Sequence, residues 1–453
     1  MNAITQYLKT LGYSGVSDSY YSYIDTMLSW YRGKVASFHR YRQYNGKKRI
    51  NRERASLGMA KTVCEDWAAL ALNEKVDIII DDERTQEAVS DVLDKNNFRV
   101  RGNQLVELTF ALGTGAFVEF WDGDEIKLDY ISAPMIYPLM WENGKITECA
   151  FGSERVDGKN RYVYLNAHVR DERGQYVIQN AMFRRDGDAL TQVDLPDGVE
   201  AEIHTGSDIP LFQIIKPNII NNEDLTCPMG ISVYANAIDT LMGIDLVYDS
   251  YLNEFRLGKK RVVVPLSMAR RMLEDDGVSA PVFDDNDVEF FALDLGGDAE
   301  PKLTEINMEL RAEAHETGLQ RQLNLLSFKC GLGNDRYAFE AGAAKTATEV
   351  ISEKSELYQN LKKHELVLED ALVDMVRAIA HLSGLSTDFA VSVRFDDSVI
   401  EDTAQEKATF ISEINAGIRQ AWEYRVKFLG EDEETARANV PAASTGITFP
   451  TWE

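Results

Sequence analysis

Between residues 357 and 379 the large apolar side chains fall at Leu357, Leu361, Leu368, Leu372, Met375 and Ile379. Gaps of three, four and seven put them on one stripe of an α-helix. The pattern predicts one long helix from Thr346 to Gly384, where glycine suits a left-handed stop. Thr346 or Thr348 would cap its start, and Glu349 stands well against the positive end of the dipole. Helical spacing recurs at Ile24, Leu28 and Tyr31, and at Val63, Trp67 and Leu70, so residues 1 to about 75 read as helices. Residues 86–112 and 403–438 also read as helical. So do 232–257, with Leu241, Tyr248, Leu252 and Phe255 on one stripe, and 303–328. At about 1.5 Å per residue, each of this last pair would extend roughly 40 Å.

Elsewhere the pattern changes to short β-rich runs: 76–80, 116–120, 162–165 and 212–215. Asp122-Gly123-Asp124, Asn143-Gly144 and Asp157-Gly158 supply turn chemistry among them. Helices and strands do not alternate as βαβ units, so the class is α+β. Strands are also expected at 262–265, 288–293 and 390–395, and a short helix at 268–273. An acidic, turn-rich stretch runs from Glu274 to Asp287. A small α/β insertion of about 45 residues therefore sits between two helices of similar length.

Composition narrows the possibilities. With 453 residues, 44% of them apolar, the chain can build a sizeable folded core. No apolar run approaches the ~18 residues that a membrane span needs, and residues 1–11 lack the layout of a secretory signal. Cys64, Cys149, Cys227 and Cys330 lie far apart without paired spacing and read as reduced core thiols. The net charge of −26 argues against tight wrapping of DNA, because phosphate binding is driven by Lys and Arg. Charge alone does not choose between a soluble acidic protein and a surface that passes DNA without gripping it. One stretch runs against the trend, with Arg40, Arg42, Lys47, Lys48, Arg49, Arg52 and Arg54. Such patches are most often solvated surface, and contact with a partner or with DNA is the other reading.

Catalytic motifs fail one by one. A phosphate-binding loop at Lys345-Thr346 would need glycine at 339 and 344, where Phe339 and Ala344 stand. His315-Glu316 and His364-Glu365 begin a zinc-protease motif, but Leu319 and Leu368 replace its second histidine. Gly113-Thr114-Gly115 lacks the third glycine of a dinucleotide site. No G-x-S-x-G elbow is present, and pairs such as Asp284-Asp285 and Asp396-Asp397 read as solvated turns. No enzyme activity, metal or cofactor is expected.

The order of several motifs carries a resemblance. It starts with Trp30-Tyr31-Arg32-Gly33, then Ala60-Lys61-Thr62-Val63 through Trp67-Ala68-Ala69-Leu70 to Asn73-Glu74-Lys75-Val76. Lys216-Pro217-Asn218, Pro228-Met229-Gly230-Ile231-Ser232-Val233 and the stretch Asp239 to Asp249 follow the β-rich region. Last come the helix–insertion–helix block and Lys345-Thr346-Ala347-Thr348-Glu349-Val350. Across nearly its whole length the chain resembles tailed-bacteriophage portal proteins of the SPP1 Gp6-like family.

That resemblance implies a portal fold: a mixed α/β wing (1–231), stem helices (232–257 and 304–330), a small α/β clip (258–303), a tunnel loop (331–345), a long helix with a wing return strand (346–400), and a helical crown with the C-terminal tail (401–453). It also implies a ring of about twelve subunits at one capsid vertex, assembled in the host cytoplasm, through which double-stranded DNA is packaged and ejected. The expected partners are the terminase large subunit, head-completion or adaptor proteins, and the major capsid and scaffolding proteins, with no membrane. The clip would dock partners through Arg271, Glu274, Asp275, Asp276, Asp284, Asp285 and Asp287, beyond a basic hinge at Lys259, Lys260 and Arg261. Asn334, Asp335, Arg336, Tyr337, Glu340 and Lys345 would face DNA, with Arg336 or Lys345 either touching phosphate or bridging to a neighbouring subunit. Twelve copies at −26 would carry roughly −312, a wall that repels DNA from every side and leaves no deep well to escape. The rival readings are a nucleic-acid-processing ATPase or nuclease, and another acidic capsid or scaffold component.

Overall fold

The computed structural model describes residues 3–258, 261–265, 290–293, 304–338, 347–395 and 403–440, less positions 16, 45–47, 74, 188, 197 and 308. The chain divides into two compact units, Met1–Phe395 and Asp396–Glu453. Both helices and sheets build the first, which is α+β as the sequence predicts.

Its largest sheet is a meander of Ile136–Glu142, Lys145–Asp157, Asn160–Arg170, Tyr176–Asp186 and Ala189–Val193, with Glu202–His204 also paired to the fourth strand. The turns fall where the sequence marks them. Asn143 (φ 50°) and Gly144 (φ 76°) both take the left-handed backbone that a tight hairpin requires. The N-terminal helix Ala3–Thr10 covers one face, sealing Ile4 and Leu8 against Val163, Leu165 and Phe183. Tyr7 meets Phe183 edge-on at 5.2 Å. A second sheet orders Phe212–Ile215, Gly115–Trp121 and Ile126–Ser132. A third joins Val391–Arg394 to Asp77–Ile80, bringing the chain back to its beginning after more than 300 residues.

Helix Ala347–Leu382 is 36 residues long, about 54 Å. Leu361, Leu368, Leu372, Met375 and Ile379 are all buried, and Gly384 (φ 67°) ends it as the pattern requires. Leu357 is only half-buried. Thr348 lies within the helix and does not cap it, while Thr346 is outside the described residues. The C-terminal unit contains helices Thr403–Asn415, Ala421–Leu429 and Glu433–Ala438. Phe410, Tyr424 and Phe428 pack its centre with ring centroids 4.8–6.0 Å apart.

Four expectations are corrected. Residues 1 to 75 are not all helical, because Arg40–Tyr44 and Arg49–Glu53 pair as an antiparallel ribbon. The helical run at 86–112 is two helices, Glu83–Lys95 and Phe98–Leu112, broken where Asn97 turns to φ 51°. The helix expected from Ser232 starts at Ile238, since the preceding residues are held in turns in which Tyr234 N donates to Ser232 Oγ at 3.3 Å. The helix expected from 303 starts at Ala312, and Thr304–Ile306 is instead a strand on Arg261–Pro265. The two helices are thus 20 and 18 residues, about 30 and 27 Å, rather than roughly 40 Å.

Candidate functional site: a helix pair and the base of a loop

Ile238–Leu257 and Ala312–Lys329 pack side by side with reversed directions. Gly243 lies against Gln322, Val247 against Gly318, Tyr251 against His315 and Glu254 against Arg311. Each step of about four residues forward on one helix is a step back on the other, the register of an antiparallel pair. Gly243 and Gly318 let the backbones approach: a Cβ at Gly243 would come within 3.0 Å of the Gln322 amide. At the far end Arg311 Nε donates to Glu254 at 2.9 Å. Beyond it the ends continue into a three-stranded sheet of Arg261–Pro265, Phe290–Leu293 and Thr304–Ile306. Several large apolar side chains along the pair stay half-exposed. Leu246, Leu252, Phe255, Leu310, Leu325 and Phe328 are 41–52% exposed in the single chain.

The near end of the pair is anchored on Pro228-Met229-Gly230-Ile231-Ser232-Val233. Gly230 N donates to Thr114 Oγ1 at 3.0 Å, and Val233 N to the Phe110 carbonyl at 3.0 Å. Helix Asp18–Tyr31 binds the same segment through tyrosines: Tyr20 donates to the Gly230 carbonyl, Tyr23 accepts from Ser232 N at 3.1 Å, and Tyr234 donates to the Met27 carbonyl at 2.9 Å. Gly113 (φ 93°) faces this segment so closely that a Cβ would strike the backbone of Gly230 and Ile231.

Residues 331–338 follow the second helix of the pair, and several of their polar groups are tied down. Arg336 pairs with Asp66 at 3.1 Å. Asp335 accepts from Asn324 Nδ2 at 2.8 Å, and the Tyr337 carbonyl from Gln320 Nε2 at 3.2 Å. Burial beside Asp66 raises the Tyr337 phenol above its ordinary value. Trp67 anchors the base: its Nε1–H donates to the Cys330 carbonyl at 3.0 Å, its ring stacks on Phe110 at 5.7 Å, and His364 meets it edge-on at 4.8 Å. Asn360 Nδ2 of the long helix donates to the Gly331 carbonyl at 3.1 Å. Leu332 and Gly333 are buried, and Gly331 and Gly333 take φ 78° and 85°.

The predicted site residues therefore separate. Asn334 is exposed. Arg336, expected to touch phosphate or bridge to a neighbour, is paired within its own chain. Arg261 opens a strand. Glu340, Lys345, Arg271, Glu274, Asp275, Asp276, Asp284, Asp285, Asp287, Lys259 and Lys260 lie outside the described residues. Sequence reasoning missed Asp66, Asn324 and Asn360 as loop anchors. Only the neighbouring Trp67 stood in a recognised motif, and polar residues on a helix surface carry no local sign of a distant partner.

Among the described residues no group of His, Cys, Asp and Glu could hold a metal ion, and no helix is long and apolar enough to cross a membrane. All four cysteines are unpaired, and burial pushes the Cys227 thiol up to about 11. What stands out is mechanical: an α+β body, an antiparallel helix pair leading to a small sheet, and a loop base braced between that pair and a longer helix. The model of the phage portal proteins of the SPP1 Gp6-like type matches residues 14–426, and the chain belongs to that family. It is a structural protein of a bacteriophage particle. A chain from the virion of a native gene transfer agent particle is similar at 12% identity with a TM-score of 0.43, covering 82% of this chain and 88% of that one. No curated protein matches the sequence.

Proposed function

We propose that the chain assembles into a closed ring whose central channel carries double-stranded DNA into and out of the capsid. The observation that carries this reading is the helix pair. Among the described residues, six large apolar side chains on or beside it stay 41–52% exposed, and a head-to-tail ring would cover such surface with the next subunit. Covering a half-exposed Leu or Phe contributes about 1 kcal/mol.

In this reading the pair is the stem, residues 258–303 form the clip that docks the terminase and later the head-completion proteins, and 331–345 form the tunnel loop. The loop base is braced by Trp67, Asp66 and Asn360, which suits an element that must hold its root while DNA moves past its tip. Among the described tunnel-loop candidates, Asn334 and Arg336 are exposed. With Arg336 committed to Asp66, a phosphate contact falls to the remainder of the loop. DNA movement comes from ATP hydrolysis in a docked motor, not from this chain.

Negative-stain electron microscopy of the purified protein tests the reading. Rings with a central channel are expected, whatever their copy number outside the capsid. Monomers, or solid particles without a channel, would overturn it.

A further inference from the structure

Charge is sharply segregated along this chain. Residues 32–54 hold nine Lys or Arg and a single Glu, a local +8 in a protein of −26. Arg40–Tyr44 and Arg49–Glu53 form a two-stranded ribbon whose register sets Tyr44 across from Arg49, Arg42 from Asn51 and Arg40 from Glu53. Residues directly opposite share a face, so Arg40, Arg42, Tyr44 and Arg49 lie together on one side. All four are exposed, Tyr44 by 64%. Arg40, Arg42 and Arg49 make no ion pair among the described residues, and Glu53 is the single acid on their face.

At the foot of the ribbon lies an open cleft of about 580 Å³, lined among others by Arg32, Lys34, Arg54 and Arg256. Its carboxylates are largely spoken for. Asp249 accepts from Ala55 N at 3.1 Å, and the adjacent buried Asp245 accepts from Leu57 N at 2.8 Å and Ser56 Oγ at 2.9 Å, with His39 Nε2 at 3.0 Å. Those bonds clamp residues 55–57 onto the Ile238–Leu257 helix and leave Arg32, Lys34 and Arg256 without an ion pair among the described residues. Arg54 stacks on Phe38 at 4.1 Å, and its Nε is buried without a hydrogen-bond partner.

We infer that the ribbon and the cleft, which borders the first helix of the pair at Arg256, form a binding surface for the phosphate backbone of double-stranded DNA, separate from the tunnel loop. A two-stranded ribbon fits the width of a DNA major groove. Alternate arginines on a strand stand about 7 Å apart, so each meets phosphate on a duplex that carries one charge per ~1.7 Å of axis. The acidity of the remaining chain does not cancel this field, because charges more than ~8 Å away are screened at physiological salt. The inference does not depend on the ring: it requires only the single chain's surface.

The test is fluorescence anisotropy of the full-length protein with a labelled duplex of about 30 base pairs, over about 50–200 mM salt. Three variants are compared with the parent: R40A/R42A/R49A, the charge-preserving R40K/R42K/R49K, and K34A/R256A for the cleft. The triple alanine is expected to weaken binding at least tenfold and to flatten the slope of log K against log salt by about 2.7, three phosphate contacts at about 0.9 each. The triple lysine should keep the slope, and the cleft variant should flatten it by about 1.8. Unchanged affinity and slope in the triple alanine would overturn the inference. So would intact DNA binding with lost assembly, which would assign the ribbon to the acidic surface of a second copy. Loss of DNA binding by variants that still form rings supports the inference and leaves the channel reading untouched.

Discussion

Three buried ionisable side chains set how this protein responds to pH. Glu119 sits in the small sheet and accepts from Gln213 Nε2 at 3.2 Å, while its Oε1 and the Gln213 Oε1 have no partner. Burial, with Asp374 adding repulsion, pushes its carboxyl up to about 8. The folded state thus holds a proton that the unfolded chain releases near 4.5, so stability falls as pH rises from there through about 8. Burial drives the imidazoles of His168 and His364 down to about 3. These groups must be neutral to stay inside, so they contribute stability above 6.5 that is lost as pH falls toward 3. Thermal unfolding across pH should therefore decline on both sides of a maximum between about 5 and 7. Glu119→Gln should flatten the alkaline side alone; an unchanged alkaline slope would mean that the carboxyl is ionised when buried. Gly113→Ala is the most damaging small change predicted. It combines strain at φ 93° with collision against Gly230 and Ile231, and should cost about 3 kcal/mol or more in urea unfolding.

Among the elements, the helix pair and the long helix differ in how they are held. The long helix is fixed by its own buried stripe and by Asn218, whose N donates to His364 Nδ1 at 3.0 Å and whose Nδ2 donates to the Lys363 carbonyl at 2.7 Å. The loop base between the two helical elements depends on single bonds. Trp67→Phe keeps the stack on Phe110 but removes the donor to the Cys330 carbonyl. It should cost about 1–3 kcal/mol and speed amide exchange at 330–333 more than in the large sheet. Equal exchange in both places would deny Trp67 an anchoring role. The Arg336–Asp66 pair is part-exposed, 36% and 23% by side chain, and belongs to the class of ion pairs worth about 1 kcal/mol or less. Its importance is directional, since it holds the arginine toward its own body.

For the whole molecule, the proposed assembly would draw on apolar side chains that stay half-exposed on the helix pair. Leu325→Glu with Phe328→Glu places two charges at half-exposed positions of a helix whose Leu323 and Leu326 are buried. The double variant should keep the parent's circular dichroism and thermal midpoint yet elute as a monomer on size exclusion. Rings that persist would move the subunit contact elsewhere. The acidic charge acts at the same scale: with like-charged subunits side by side, raising salt should favour assembly by screening their repulsion.

The sequence by itself determined those elements whose burial repeats along the chain. A helix that hides one stripe must space its leucines near 3.6 residues, and a tight hairpin favours Asn-Gly or Asp-Gly at its turn. The long helix, the meander's turns and the order of family motifs were therefore legible. The Arg40–Glu53 ribbon was not, because its alternation is of arginine with polar residues and has no apolar face to betray a strand. Nor was Thr304–Ile306, whose strand character comes from pairing with Arg261–Val263 about 40 residues earlier in the chain. Only the tertiary structure joined Arg336 to Asp66 across 270 positions. Local periodicity reports which face is buried. The partner of a polar side chain is chosen by the folded chain as a whole, and no spacing along the sequence encodes it.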